Sequence, residues 1–173
     1  MEKSARIIQG ILFYVIWYLA ITQVSEGSFG TAALLLGAFF ILVLYQAQYN
    51  RVGLALLACS CIVIEFLVNI CTQAVVYRHD EVSLYGYPLW LTGMWGVFVG
   101  CMGGCLQFLT KVSLSKAVII GAVGGSVSSY SGYRLGALVY PTGVAYGLAW
   151  TAVLWGAILP FIILVVNRVG SRS

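Results

Sequence analysis

Glu65 is the side chain with the most chemistry open to it. It stands inside an apolar run from Val52 to Tyr77, where an ionisable group costs about 2.5–3.5 kcal/mol on insertion scales. Such a group has to face protein rather than lipid, and it serves either as a hydrogen-bonding anchor or as a proton-handling site. Asn69, Thr72 and Gln73 follow it along the run. At 100° per residue the four side chains fall within an arc of about 100°. They form one polar stripe from mid-segment to one end. Hydrogen bonding between helices accounts for Asn69 and Thr72 alone. With Glu65 added, the stripe reads as the wall of a ligand cavity.

A second polar face lies later in the chain, where Ser126, Ser129, Tyr130, Tyr133 and Arg134 share one side of a helix. Arg134 is near the end of its apolar run, so snorkelling to the headgroups is one reading. The other is binding, because a guanidinium suits an anionic group by charge and by its forked donors. The two faces are expected to oppose one another. The candidate ligand-binding set is then Glu65, Asn69, Thr72, Gln73, Tyr130, Tyr133 and Arg134, with no catalytic residue assignable.

Other chemistry finds little support. Cys59, Cys61, Cys71, Cys101 and Cys105 all fall inside apolar runs with no Cys-x-x-Cys pair and no nearby histidine. They read as small apolar side chains, not as a zinc site or disulfide framework. His79 is the one histidine, so neither a His-rich metal centre nor a Ser-His-Asp triad is available. His79-Asp80-Glu81 is a weak metal signal on its own, and no metal or cofactor is expected. Gly121, Gly125, Ser128, Gly132 and Gly136 line one helical face, and Gly93, Gly96, Gly100, Gly103 and Gly104 another. They are expected to bring the helix over Pro88 to Leu109 and the helix over Lys116 to Val139 into close contact. No strand precedes them, so they are not a dinucleotide fingerprint.

The elements that must position these residues are transmembrane helices. The chain is 61% hydrophobic and 8% charged over 173 residues, against roughly half and one quarter in soluble domains. Six runs approach the about 20 residues a span needs: Ile7 to Val24, Thr31 to Ala47, Val52 to Tyr77, Pro88 to Leu109, Lys116 to Val139 and Thr142 to Val166. The expected fold is all-α, a polytopic bundle of six transmembrane helices making one integral membrane domain over residues 1–173. The first run lacks a small-x-small cleavage site before Gln23, so it is expected to be a retained helix. Lys3, Arg6, Arg51, Lys111, Lys116, Arg168 and Arg172 fall on one side, and Arg78 and Arg134 on the other with Glu26, Asp80 and Glu81. That bias places both termini in the cytoplasm. The net charge of +4 is spread over segment ends and does not point to nucleic acid. Tyr77, Tyr85, Tyr87, Trp90 and Tyr140 read as an interfacial aromatic belt, and the segment from Tyr85 to Trp90 reads also as a lip over the polar stripes. The two halves would run in opposite senses, but no sequence echo supports an inverted repeat.

One stretch carries a resemblance. Gly124-Gly125, then Ser129-Tyr130-Ser131-Gly132-Tyr133-Arg134-Leu135-Gly136-Ala137 and Pro141, is similar to the penultimate helix of a family of small uncharacterised bacterial inner-membrane proteins. Pro88-Leu89-Trp90 ahead of Met94-Trp95 resembles the same family. Its genes often lie beside those of cyclopropane-fatty-acid-synthase-like methyltransferases and flavin-dependent amine-oxidase-like proteins. The resemblance implies the bacterial inner membrane and a link to fatty-acyl modification, without a settled activity.

These readings lead to an integral inner-membrane protein that binds, or helps to modify, lipid or fatty-acyl groups in an outward-facing polar cavity. The partners expected are the bilayer, such a ligand and further copies of the chain. The alternatives are a small transporter with Glu65 as its proton-coupling site, and an assembly subunit without a ligand.

Overall fold

The computed structural model describes residues 3–46, 50–78 and 87–170. Over them the apolar runs form six α-helices: α1 (Lys3–Ser25), α2 (Phe29–Gln46), α3 (Arg51–Thr72), α4 (Leu89–Cys101), α5 (Leu114–Arg134) and α6 (Val144–Gly170). His79, Asp80, Glu81, Tyr85, Arg172 and the expected end of helix 2 at Ala47 lie outside the described residues. By length and composition, α1, α3 and α6 can each cross a membrane, while α2 and α4 are shorter apolar helices. Ile7, Leu34, Ile41, Ile119, Val127 and Val153 are exposed. An apolar exterior of this extent is stable against lipid rather than water.

Local chemistry sets the helix ends. Asn50 starts α3 by accepting the N–H groups of Val52 and Gly53 on its side chain, at 3.0 and 3.3 Å. Gln73 ends the same helix in the left-handed region, with φ of 50°. Its N–H bonds the Asn69 carbonyl. Thr72 Oγ donates back to the Val68 carbonyl at 2.8 Å. The third run is therefore helical only to Thr72, and Val76–Tyr77 forms a short strand, β1. The fifth run stops likewise at Arg134, and Gly136, at φ of 82°, turns the chain into Leu138–Val139, β2. The strands pair antiparallel, Val76 opposite Val139 and Tyr77 opposite Leu138.

This small β-ladder ties one end of the bundle together. Arg78 N–H donates to the Ala137 carbonyl at 2.9 Å. Its guanidinium donates to the Ser25 carbonyl at the end of α1 (2.7 Å), and Trp90 of α4 donates to the Arg78 carbonyl (2.9 Å).

The fourth run also departs from a continuous span. α4 has 13 residues, about 20 Å at 1.5 Å each, which falls short of a hydrocarbon core of about 30 Å. Turns follow through Gly103 and Gly104, then a 3-10 helix over Gln107–Lys111. Adjacent glycines lower the cost of leaving the helix. Gln9 of α1 reaches the break and accepts the Cys105 N–H at 2.7 Å.

The glycine faces make close contacts, but not with each other as expected. Gly93, Gly96 and Gly100 of α4 lie against Leu36, Phe40 and Val43 of α2, while Gly121 and Gly125 of α5 lie against Trp155 and Leu159 of α6. Spacing shows that a face is small; it does not show which neighbour uses it. The result is two tight pairs, α2 with α4 and α5 with α6. α3 packs on both α4 and α6, and α1 packs mainly on α2.

A candidate ligand cavity around Glu65

Glu65 lies seven residues before the end of α3, about two turns from it, with 2% of its surface exposed. Three side chains from outside α3 converge on its carboxyl group. Tyr77 of β1 donates to Oε1 at 2.6 Å, Tyr87 donates to Oε2 at 2.8 Å, and the Trp95 indole N–H donates to Oε2 as well. A carboxylate offers about four lone-pair sites, so three are taken. Each donor is delivered by a different device. The left-handed turn at Gln73 sends the chain into β1, which swings Tyr77 back over the helix. Tyr87 stands just before α4, and Trp95 faces inward from its second turn. Tyr87 and Trp95 are themselves buried.

Beside this cluster lies a cavity of about 510 Å³, within the size range of sites for small organic ligands. Glu65, Tyr77, Trp90 and Trp95 line it, as do Ser128, Ser129 and Ser131 of α5. Aromatic rings dominate the rest, with Trp17, Phe98 and Trp155 facing it. The rings brace one another: Trp95 stacks on Trp155 with centroids 4.8 Å apart, Phe98 meets Trp155 edge-on at 5.2 Å, and Tyr77 meets Trp90 edge-on at 5.9 Å. The lining residues that are exposed sit on α1 (Tyr14) and on α5 (Ile120, Gly124, Val127). The mouth therefore lies between these two helices, near the middle of each. Gly124 has open space where a side chain would begin, unlike Gly121 and Gly125. Among the described residues, lysine, arginine and histidine are absent from the lining.

The sequence-derived candidates divide. Glu65 is at the heart of the site. Asn69 lines a second, much smaller space of about 10 Å³ that Glu65 also borders, shared with Tyr77 and Thr151. Thr72 and Gln73 spend their side chains on their own helix, on the Val68 and Ile70 carbonyls. The stripe thus ends as a helix cap instead of continuing to the surface. Tyr133 packs on Tyr130 and Tyr140. Arg134 is exposed, and its guanidinium donates to Tyr130 at 3.4 Å. Neither Tyr130 nor Arg134 lines the large cavity, and Arg134 makes no contact with Glu65. Ser129 does line it, and its hydroxyl shares a 2.7 Å hydrogen bond with Tyr140.

Tyr77, Tyr87 and Trp95 are the donors to Glu65 that sequence reasoning did not identify. Two of them carry the signature of an interfacial belt, being tyrosines next to a loop. Their meeting with Glu65 depends on the strand turn and on the register of α4 against α3. The available signal was Glu65 itself, since a buried carboxyl requires donors. Among the described residues no three His, Cys, Asp or Glu side chains gather to hold a metal ion, and all five cysteines are free thiols.

No curated protein and no solved structure matches this chain. A family does: DUF2878, described as a protein of unknown function, matches residues 6–161. With nearly the whole chain covered, from the first helix through most of the last, this protein is a member of the DUF2878 family.

Proposed function

We propose that this protein is a multi-pass protein of the bacterial cytoplasmic membrane that takes an apolar-chain ligand, of lipid or fatty-acyl size, sideways from the bilayer into the cavity between α1 and α5. The observation that carries this reading is the cavity itself. It is about 510 Å³ in volume, walled mainly by aromatic and aliphatic side chains with three serines, and Glu65 is the carboxyl group among its described lining residues. Its mouth is set near the middle of α1 and α5, at the depth of the hydrocarbon if both cross the membrane. A ligand entering there exchanges lipid neighbours for aromatic ones and needs no passage through water.

In this reading all six helices reach across the bilayer, α4 with the help of its 3-10 extension, and both termini are cytoplasmic. The positive residues at the helix ends support that orientation. The family resemblance supports a role next to fatty-acyl modification, as a binding or accessory protein. The exposure of Arg134, away from the cavity, favours snorkelling for that residue.

Mass spectrometry of lipids that remain bound after purification tests the proposal. Wild type is expected to retain acyl-chain compounds. Gly124→Phe, which places a ring in the mouth, is expected to lose them while keeping the fold. Equal retention by both proteins refutes the cavity as the site. Impermeant thiol reagents applied to Ser28→Cys and Lys111→Cys in a cysteine-free background test the topology, with labelling of intact cells expected at the first position alone.

A second reading rests on a separate observation, that Glu65 borders both the large cavity and the small space lined by Asn69 and Thr151. A carboxyl group that borders two compartments is placed to pass a proton in a transporter. Ligand uptake into vesicles that collapses with the proton gradient would favour this reading, and gradient-independent binding would exclude it.

A further inference from the structure

The charge character of the cavity narrows the chemistry of its ligand. Among the described residues its lining contains no lysine, arginine or histidine, and one carboxyl group, that of Glu65. No described residue in it offers a counter-charge to a carboxylate or a phosphate. Trp90, Trp95 and Trp155 line the same cavity, and ring faces carry negative potential that attracts cations. The rings are already braced against one another (Trp95 on Trp155, Trp155 on Phe98), so the cage needs little reordering to receive a guest. The three donors on Glu65 come from neutral groups. They fix its position without supplying a cation.

We infer that the cavity selects a single-chain amphiphile whose head is a cationic nitrogen without a phosphate, with Glu65 as counter-charge and the tryptophan faces as its cage. This rests on the proposed function and goes further by assigning the head. An amine-headed phospholipid shares the ammonium but brings a phosphate for which no described lining residue supplies a counter-charge. A fatty acid would set its carboxylate against Glu65.

The test is competition in micelles of a neutral detergent. A brominated alkyl chain that quenches tryptophan fluorescence is displaced by n-dodecylamine, n-dodecanol, n-dodecanesulfonate or a lysophosphatidylethanolamine of the same chain length. The amine is expected to compete at least about tenfold better than the alcohol, with the sulfonate and the lysophospholipid weaker still. Glu65→Gln is expected to bring the amine down to the level of the alcohol. The wild-type ratio decides even if that variant is unstable. Equal competition by amine and alcohol overturns the assignment, as does a preference for the sulfonate, and an equally strong lysophospholipid overturns its phosphate-free part. In each of those cases loss of all binding in Gly124→Phe leaves the cavity reading standing. If wild type and Gly124→Phe bind every probe alike, the cavity reading falls as well.

Discussion

At the scale of single residues, Glu65 is held rather than merely tolerated. A buried carboxyl group without partners costs several kcal/mol, and here three donors from two other parts of the chain close on it. Removing one donor leaves a buried acceptor short of a bond, at a cost of about 1–3 kcal/mol. Tyr87→Phe is the cleanest case, because it deletes one hydroxyl and keeps the ring that packs edge-on against Phe66 at 5.6 Å. It is expected to lower stability by about 1–3 kcal/mol in reversible unfolding from mixed micelles. An unchanged midpoint would mean that the hydroxyl carries no weight. Glu65 was legible in the sequence because an ionisable residue in an apolar run has few explanations. Tyr77, Tyr87 and Trp95 were not, because aromatic residues near segment ends have a common alternative at the membrane interface.

At the scale of elements, small residues decide which helices touch. The spacing of glycines on α4 and α5 was visible in the sequence. Their partners were not, since a smooth face fits any neighbour of suitable shape. The structure assigns α2 to α4 and α6 to α5, which leaves α5 apart from α1 and opens the mouth. This makes neighbouring glycines differ sharply. An added Cβ at Gly121 meets the Trp155 carbonyl, and one at Gly125 meets the Trp155 ring, while at Gly124 it meets nothing within 4 Å. Gly121→Ala and Gly125→Ala are expected to cost about 1–3 kcal/mol by overpacking, and Gly124→Ala close to nothing, in the same unfolding measurement. Similar effects at all three positions would contradict the pairing of α5 with α6. The breaks in runs three, four and five were hidden for another reason. Hydropathy registers an apolar stretch whether it is helix, strand or turn. The left-handed Gln73 and the turn at Gly103 and Gly104 do not change it.

At the scale of the molecule, the composition already specified a membrane protein built of helices. The cavity was the part that composition could not supply, because it is a gap between α1 and α5 created by the pairing of the other helices. Four of the five tryptophans line it: Trp17, Trp90, Trp95 and Trp155. The protein therefore carries its own reporter. The measurement that bears most directly on a lipid-accessible ligand cavity is quenching of intrinsic fluorescence by an alkyl chain brominated near its methyl end, titrated into neutral micelles. Occupancy of the cavity predicts a saturable quenching phase in wild type that disappears in Gly124→Phe. Quenching that rises linearly with probe content and is identical in the two proteins would show that the chain touches only the outer surface, and would contradict a ligand-binding cavity.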